Sequence, residues 1–115
     1  TGRNADVPGY LIGGKTGTSE KSGHRGGYDR NRRMASFVAA FPMDRPKYVI
    51  LAMLDEPKGT QRTHGHATGG WVAAPIVAKV VKRMAPLLGL TPSQRVEKSP
   101  KPGDDLFIEV KAKNN

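Results

Sequence analysis

The sequence predicts an α+β fold: an antiparallel sheet of three strands with a C-terminal helix packed on one face. Two observations carry that expectation. Apolar stretches at residues 10–12, 34–41 and 48–54 are separated by polar segments rich in Gly and Pro, the punctuation of strands joined by turns. After them, Ala73, Val77, Val80, Val81, Met84 and Leu88 recur on one stripe at helical spacing. The 115 residues suffice for one small domain and no more.

Residues 1–6 are polar and are expected to fray ahead of a turn at Val7-Pro8-Gly9. Residues 10–18 read as a strand of unusual glycine content, with Gly13, Gly14 and Gly17 close together. Glycine weakens a strand but lets a ligand or a second backbone approach. Residues 20–33 read as a polar, charged loop. Residues 34–41 form the next strand, and the short turn through Pro42 and Pro46 makes an antiparallel hairpin with residues 48–54. That last strand is almost wholly apolar, the pattern of a strand covered on both faces. The chain holds little to cover the second face, which implies more protein. An unpaired sheet edge makes self-association a further expectation.

Residues 56–70 read as a second polar loop, and residues 71–88 as the helix, with Lys79, Lys82 and Arg83 opposite the apolar stripe. Pro75 is tolerable in a first turn, where its missing N–H has no partner to lose. Pro86 should end or kink the last turn, and Gly89 is a suitable C-terminal stop. From Thr91 the proline and mixed-charge content predicts a disordered tail, with residues 106–110 a short β-prone island. The domain is thus placed at 1–90 and the tail at 91–115.

Composition removes several function classes. The chain starts at Thr1 without an initiator Met or a signal peptide and reads as a piece of something longer. No apolar run approaches the roughly 20 residues that cross a bilayer, so any anchor of a parent protein lies outside this piece. There are no cysteines, which excludes disulfides and cysteine-based metal sites. His64-Gly65-His66 would need further ligands to hold a metal and reads as a solvated pair. The net charge of +9 favours anionic partners. It concentrates at residues 21–33 and in the tail, but neither stretch interleaves the aromatics that stack single-stranded bases. No zinc-finger or RNA-recognition signature occurs. The charge therefore reads as solvated surface, and nucleic acid is not an expected partner.

The chemistry gathers at Gly13-Gly14-Lys15-Thr16-Gly17-Thr18. Alternation puts Lys15 and Gly17 on one face of a strand and Thr16 and Thr18 on the other. Lys15 offers a point charge that steadies a carboxylate or lowers the pKa of a nearby hydroxyl. The threonine hydroxyls can donate to a substrate carboxylate. A backbone N–H here can serve an oxyanion hole, and Gly17 leaves room for a substrate chain to lie along the strand. Gly9 to Thr16 also satisfies the spacing of a phosphate-binding loop. Such a loop follows a strand and opens a helix, whereas here Tyr10, Leu11 and Ile12 fill the loop and Gly17 follows the threonine.

A set of motifs stands in order along the chain: Lys15-Thr16-Gly17-Thr18, Tyr28, Ser36-Phe37-Val38, Phe41-Pro42, Pro46, Asp55-Glu56-Pro57, Gly69-Gly70 and Ala73-Ala74-Pro75. In this order residues 7–90 resemble the C-terminal part of a penicillin-binding protein transpeptidase domain, closest to the class B, FtsI-like division synthases. The resemblance implies a β-lactamase/transpeptidase-like fold and an acyl transfer in which a serine attacks a D-alanyl-D-alanine stem peptide. It implies that Lys15 sets the local electrostatics and that Thr16 and Thr18 bind the carboxylate of substrate or β-lactam. Gly17 then lines the substrate, and the Thr18 N–H supplies half of the oxyanion hole. It further implies divisome partners, an inner-membrane parent with this domain facing the periplasm, and no metal or organic cofactor.

One part of the family pattern is missing. Neither Ser-x-x-Lys nor Ser-x-Asn occurs, whichever of Ser19, Ser22, Ser36, Ser93 and Ser99 is tried. The nucleophile is absent from this chain, so the chain alone is expected to be inactive. A serine β-lactamase or D,D-carboxypeptidase piece is the neighbouring alternative, and a basic nucleic-acid module the remote one.

Overall fold

The computed structural model describes residues 2–92. Three strands, β1 (Gly13–Ser22), β2 (Tyr28–Phe41) and β3 (Tyr48–Asp55), form an antiparallel sheet in the order β1-β2-β3. Two helices follow, α1 (Gly69–Val72) and α2 (Ala74–Leu87), with short 3-10 turns at Arg3–Ala5 and Gln61–Thr63. The expected sheet and helix are thus present, with altered boundaries.

Register sorts the side chains into two faces. Gly14 pairs with Ala39, Thr16 with Phe37 and Thr18 with Ala35, while Phe37 pairs with Ala52 and Phe41 with Tyr48. This face is the covered one. Phe37 and Phe41 of β2 are buried beneath Ala73, Ala74, Val77 and Val81, with Ala5 and Val7 closing one side. Of the stripe foreseen for the helix, Ala73, Val77 and Val81 are buried in the core, joined by Ala74 and Ala85; Val80 and Met84 are half-buried, Leu88 is exposed, and Lys79, Lys82 and Arg83 lie outside. The other face carries Lys15, Gly17, Ser36, Val38, Val49, Leu51 and Met53. There Val49 is 72% exposed, Leu51 58% and Met53 57%. β3 thus alternates in exposure although its sequence does not, because among the described residues only one face meets a helix.

Four expectations change. The N-terminal stretch does not simply fray: Arg3–Ala5 makes a turn closed by Ala5 N–H to Gly2 O at 3.0 Å, and Ala5 is buried. The polar loop at 20–33 shrinks to residues 23–27, because β1 and β2 continue as a long hairpin. Its register shifts between Glu20, opposite Arg33, and Lys21, opposite Asp29. The intervening Arg30, Asn31 and Arg32 bulge out, and the Asn31 N–H donates to Asp29 Oδ1 at 2.9 Å. Beyond Tyr10, which bridges to Val7 across the predicted turn, strand geometry begins only at Gly13. Finally, the single helix divides at Ala73. Pro75 has no N–H for the Trp71 carbonyl and its ring crowds that carbonyl, so α1 ends and α2 begins around it.

α2 stops as the sequence foresees. Pro86 sits in its last turn, Gly89 has φ +71°, and the Leu90 N–H returns to Ala85 O at 2.9 Å. The Tyr10 hydroxyl then donates to Leu90 O at 3.2 Å, tying the chain's beginning to the helix end. Apart from Thr91 and Pro92, the expected tail and its β-prone island lie outside the described residues.

Candidate functional site

β1 is an edge strand, paired only with β2 among the described residues. Its Gly13–Ser22 course rules out the phosphate-loop alternative, since the chain after Lys15-Thr16 is strand and not helix. Lys15 is exposed, and its Nζ donates to the Thr16 carbonyl at 2.9 Å. Thr16 is half-buried and Thr18 exposed. As alternation requires, Lys15 and Gly17 lie on the open face, and Thr16 and Thr18 on the helix face. The four residues share the free edge of β1 rather than one face.

Two neighbours complete this edge, and sequence reasoning gave neither a role. Ser36 lies opposite Gly17 on the open face, where its hydroxyl reaches Gly17 O at 3.5 Å. A Cβ on residue 17 would stand 2.5 Å from Ser36 Oγ, so only glycine leaves that hydroxyl its place. On the other face, Gly69 at the start of α1 donates its N–H to Thr18 Oγ1 at 3.3 Å. A Cβ on Gly69 would lie 2.1 Å from Ser36 O and 2.8 Å from Gly17 O. The absent side chain lets the helix backbone rest directly on the β1–β2 ladder beside Thr18. Chemically, the edge offers an exposed cation, a hydroxyl held by the Gly69 N–H and, among the described residues, an unpaired strand backbone, a combination suited to an extended chain that ends in a carboxylate.

Farther along the hairpin a second cluster holds the strands together. Lys21 Nζ lies 2.5 Å from Asp55 Oδ1 and 3.1 Å from Glu56 Oε1, and Arg32 Nε reaches Glu56 Oε1 at 2.9 Å. The Arg32 guanidinium, and next the Lys21 ammonium, hold the Glu56 carboxyl below its ordinary value. Asp55 first and Glu56 second raise Lys21, and Glu56 raises Arg32. Glu56 itself adopts φ +49°, and its N–H donates to Arg33 O at 2.8 Å, one step past the β2–β3 ladder. This cluster ties β1, β2 and the end of β3 together beyond Lys15–Thr18.

The histidine pair is exposed, as the sequence suggests, and flanks Trp71. The His66 ring stacks on Trp71 at 5.2 Å and 17°, and His64 meets the same ring edge-on at 5.6 Å. Among the described residues no cluster of His, Asp and Glu has the makings of a metal site.

Comparison with known proteins gives these features a setting. A family model described as the penicillin binding protein transpeptidase domain matches residues 1–82. A probable peptidoglycan D,D-transpeptidase FtsI of Caulobacter vibrioides is 48% identical over 95 residues, which is 78% of this chain and 16% of that protein. Stage V sporulation protein D of Bacillus subtilis is 42% identical over 96% of this chain and 16% of its own length. Among solved structures, penicillin binding protein 3 of Mycobacterium tuberculosis complexed with ampicillin superposes with TM-score 0.71 at 28% identity, over 84% of this chain and 21% of that one. The transpeptidase domain of penicillin-binding protein 3 from Burkholderia pseudomallei gives 0.66 at 38% identity, over 82% of this chain and 27% of that one. The chain thus spans about a sixth of these curated relatives, and its sheet and helices are part of the β-lactamase/transpeptidase-like fold. With a Lys-Thr-Gly-Thr edge strand braced by a glycine-started helix, and a family model covering most of its length, this chain belongs to the penicillin-binding protein transpeptidase family.

Proposed function

We propose that this chain is the C-terminal part of a serine-type D,D-transpeptidase that cross-links peptidoglycan stem peptides during cell division and is acylated by β-lactams. The observation that carries the reading is the exposed Lys15-Thr16-Gly17-Thr18 edge, with Thr18 braced by the Gly69 N–H. In this reading the D-alanyl-D-alanine end of the substrate lies along the free edge of β1. Thr16 and Thr18 hold its carboxylate, and Lys15 supplies positive potential beside the reacting carbonyl. The Thr18 N–H takes half of the developing oxyanion.

The serine, its activating lysine and the second hydroxyl come from a segment outside this sequence, so the chain by itself carries out no acyl transfer. The relatives, a probable peptidoglycan D,D-transpeptidase and a peptidoglycan D,D-transpeptidase homolog, support the same substrate class. The parent is placed in the bacterial inner membrane with this domain in the periplasm, where peptidoglycan is built, and among divisome proteins. Among the described residues no helix is long and apolar enough to cross a membrane.

Fluorescent penicillin tests the reading. Covalent label on a denaturing gel is expected for the longer protein that contains this chain and not for the 115-residue chain alone. In the longer protein, Thr18→Val, which keeps the N–H but removes the hydroxyl that holds the carboxylate, should slow acylation by about 10- to 100-fold. Label on the short chain, or none on the folded longer protein, overturns the proposal.

A further inference from the structure

A groove of about 420 Å³ opens where α2, the second 3-10 turn and the N-terminal turn meet. Trp71, Val72 and Ile76 give it an apolar lining, and Lys58, Arg62 and Lys79 give it three exposed cations from three different elements. None of the three cations forms an ion pair among the described residues. Residues 57–92 contain no Asp or Glu while holding Lys58, Arg62, Lys79, Lys82 and Arg83, and the nearby Asp55 and Glu56 pair instead with Lys21 and Arg32.

The walls are held in place. Asn4 Nδ2 donates to Gly70 O at 2.8 Å, which fixes the N-terminal turn on α1. The Thr60 N–H donates to Thr63 Oγ1 at 2.9 Å, and that hydroxyl returns to Thr60 O at 3.2 Å, closing the turn that carries Arg62. The His66 ring stacked on Trp71 fixes the indole.

We propose that this groove docks an acidic, amphipathic peptide segment of a partner protein. Its carboxylates would meet Lys58, Arg62 and Lys79, and a Leu- or Phe-sized side chain would rest on Trp71, Val72 and Ile76. The chemistry of the lining selects this occupant. Cations spread over three elements match carboxylates spaced along a chain better than one compact phosphate. Val72, Ile76 and the Trp71 ring take an apolar side chain, while Asn4, Thr60 and Thr63 add polar groups that a peptide backbone can meet. Trp and Arg are also the residues that dominate protein–protein contacts energetically. The inference is independent of the transpeptidase reading, since it uses none of Lys15, Thr16, Gly17 or Thr18.

Trp71 is the only tryptophan, so its emission reports on the groove directly. The full chain is titrated with a short synthetic peptide alternating Glu with Leu and Phe. A saturable blue shift is expected, weakened by added salt. Lys58→Glu, Arg62→Glu and Lys79→Glu should each weaken binding about tenfold, while Lys47→Glu should leave it unchanged. Circular dichroism confirms that each exposed-site variant remains folded. The proposal fails if no saturable shift occurs, or if Lys47→Glu weakens binding as much as the groove variants. It fails equally if the peptide with Gln in place of Glu binds as well, if polyglutamate binds as well, or if an anionic oligosaccharide binds in preference.

Discussion

The backbone N–H of Gly69 donates to the hydroxyl of Thr18 across 51 residues of sequence, at 3.3 Å. The contact exists because residue 69 has no side chain. An added Cβ would meet backbone oxygens of Ser36 and Gly17, which cannot swing aside as a flexible side chain would. Gly69→Ala should therefore lift α1 from the sheet and cost about 1–3 kcal/mol, the usual range for overpacking. Thermal denaturation measures the loss. In the longer protein the same substitution should slow penicillin acylation, because Thr18 loses its brace. An unchanged melting temperature would show that α1 does not need this close approach.

The two faces of the sheet should answer oppositely to truncation. Phe37 is 2% exposed beneath the helices, so Phe37→Ala should cost about 3–5 kcal/mol in urea denaturation. Leu51, on the open face, is 58% exposed, and Leu51→Lys should change stability by less than about 0.5 kcal/mol. It should nevertheless lower any self-association of the chain seen by analytical ultracentrifugation, because it charges the apolar patch of Val38, Val49 and Met53.

Glu56 sets an acid dependence. Arg32 chiefly, and Lys21 after it, lower its folded pKa below the ordinary 4.5. A carboxylate of this kind contributes stability that is present above 4.5 and is lost as pH falls through the lower folded value. Glu56→Gln should thus lower the melting temperature at neutral pH, and the gap to the native chain should close toward acid. Lys21 acts with the opposite sign. Asp55 first and Glu56 next raise it above 10.5, so its contribution is complete below 10.5 and is lost as pH rises past the raised value. A gap that persists unchanged at acid pH would mean that the carboxylate charge is not what holds the cluster.

Gly89 should resist substitution for a backbone reason. At φ +71° it terminates α2, and a Cβ there would meet no neighbouring atom. Gly89→Ala therefore isolates the left-handed strain, about 1–2 kcal/mol. Hydrogen exchange at Leu90, whose N–H bonds to Ala85 O, should speed up along with the loss of stability.

What could be read from the sequence was whatever rests on local pattern. The apolar runs at 34–41 and 48–54, the stripe from Ala73 to Val81 and the Gly89 stop all carry their signal within a few residues. The extension of the hairpin through Glu20–Ser22 and Tyr28–Arg33 was hidden, because those charged residues show no apolar alternation. They are strand only through the partner across the ladder and the Lys21–Glu56–Arg32 contacts. At the candidate site, alternation gave the faces of Lys15, Thr16, Gly17 and Thr18. The contacts of Gly69 with Thr18 and of Ser36 with Gly17 join residues far apart in sequence, and no local rule announces them. Gly69-Gly70 drew notice only as a place in a motif order.

The bulge at Arg30–Arg32 and the ion cluster beside it divide the hairpin into two mechanical regimes. On the Lys15 side, every residue of β1 from Gly13 to Glu20 is locked in register with β2. On the far side lie two further pairs, Lys21 with Asp29 and Ser22 with Tyr28, and then the tip with the glycines at 23, 26 and 27. A change of length at the tip would therefore be absorbed before it reached the bulge, because sliding the ladder would mean separating Lys21 and Arg32 from Glu56. The hairpin can gain or lose residues at its end while the spacing between Lys15 and Thr18 and their opposing strand stays the same.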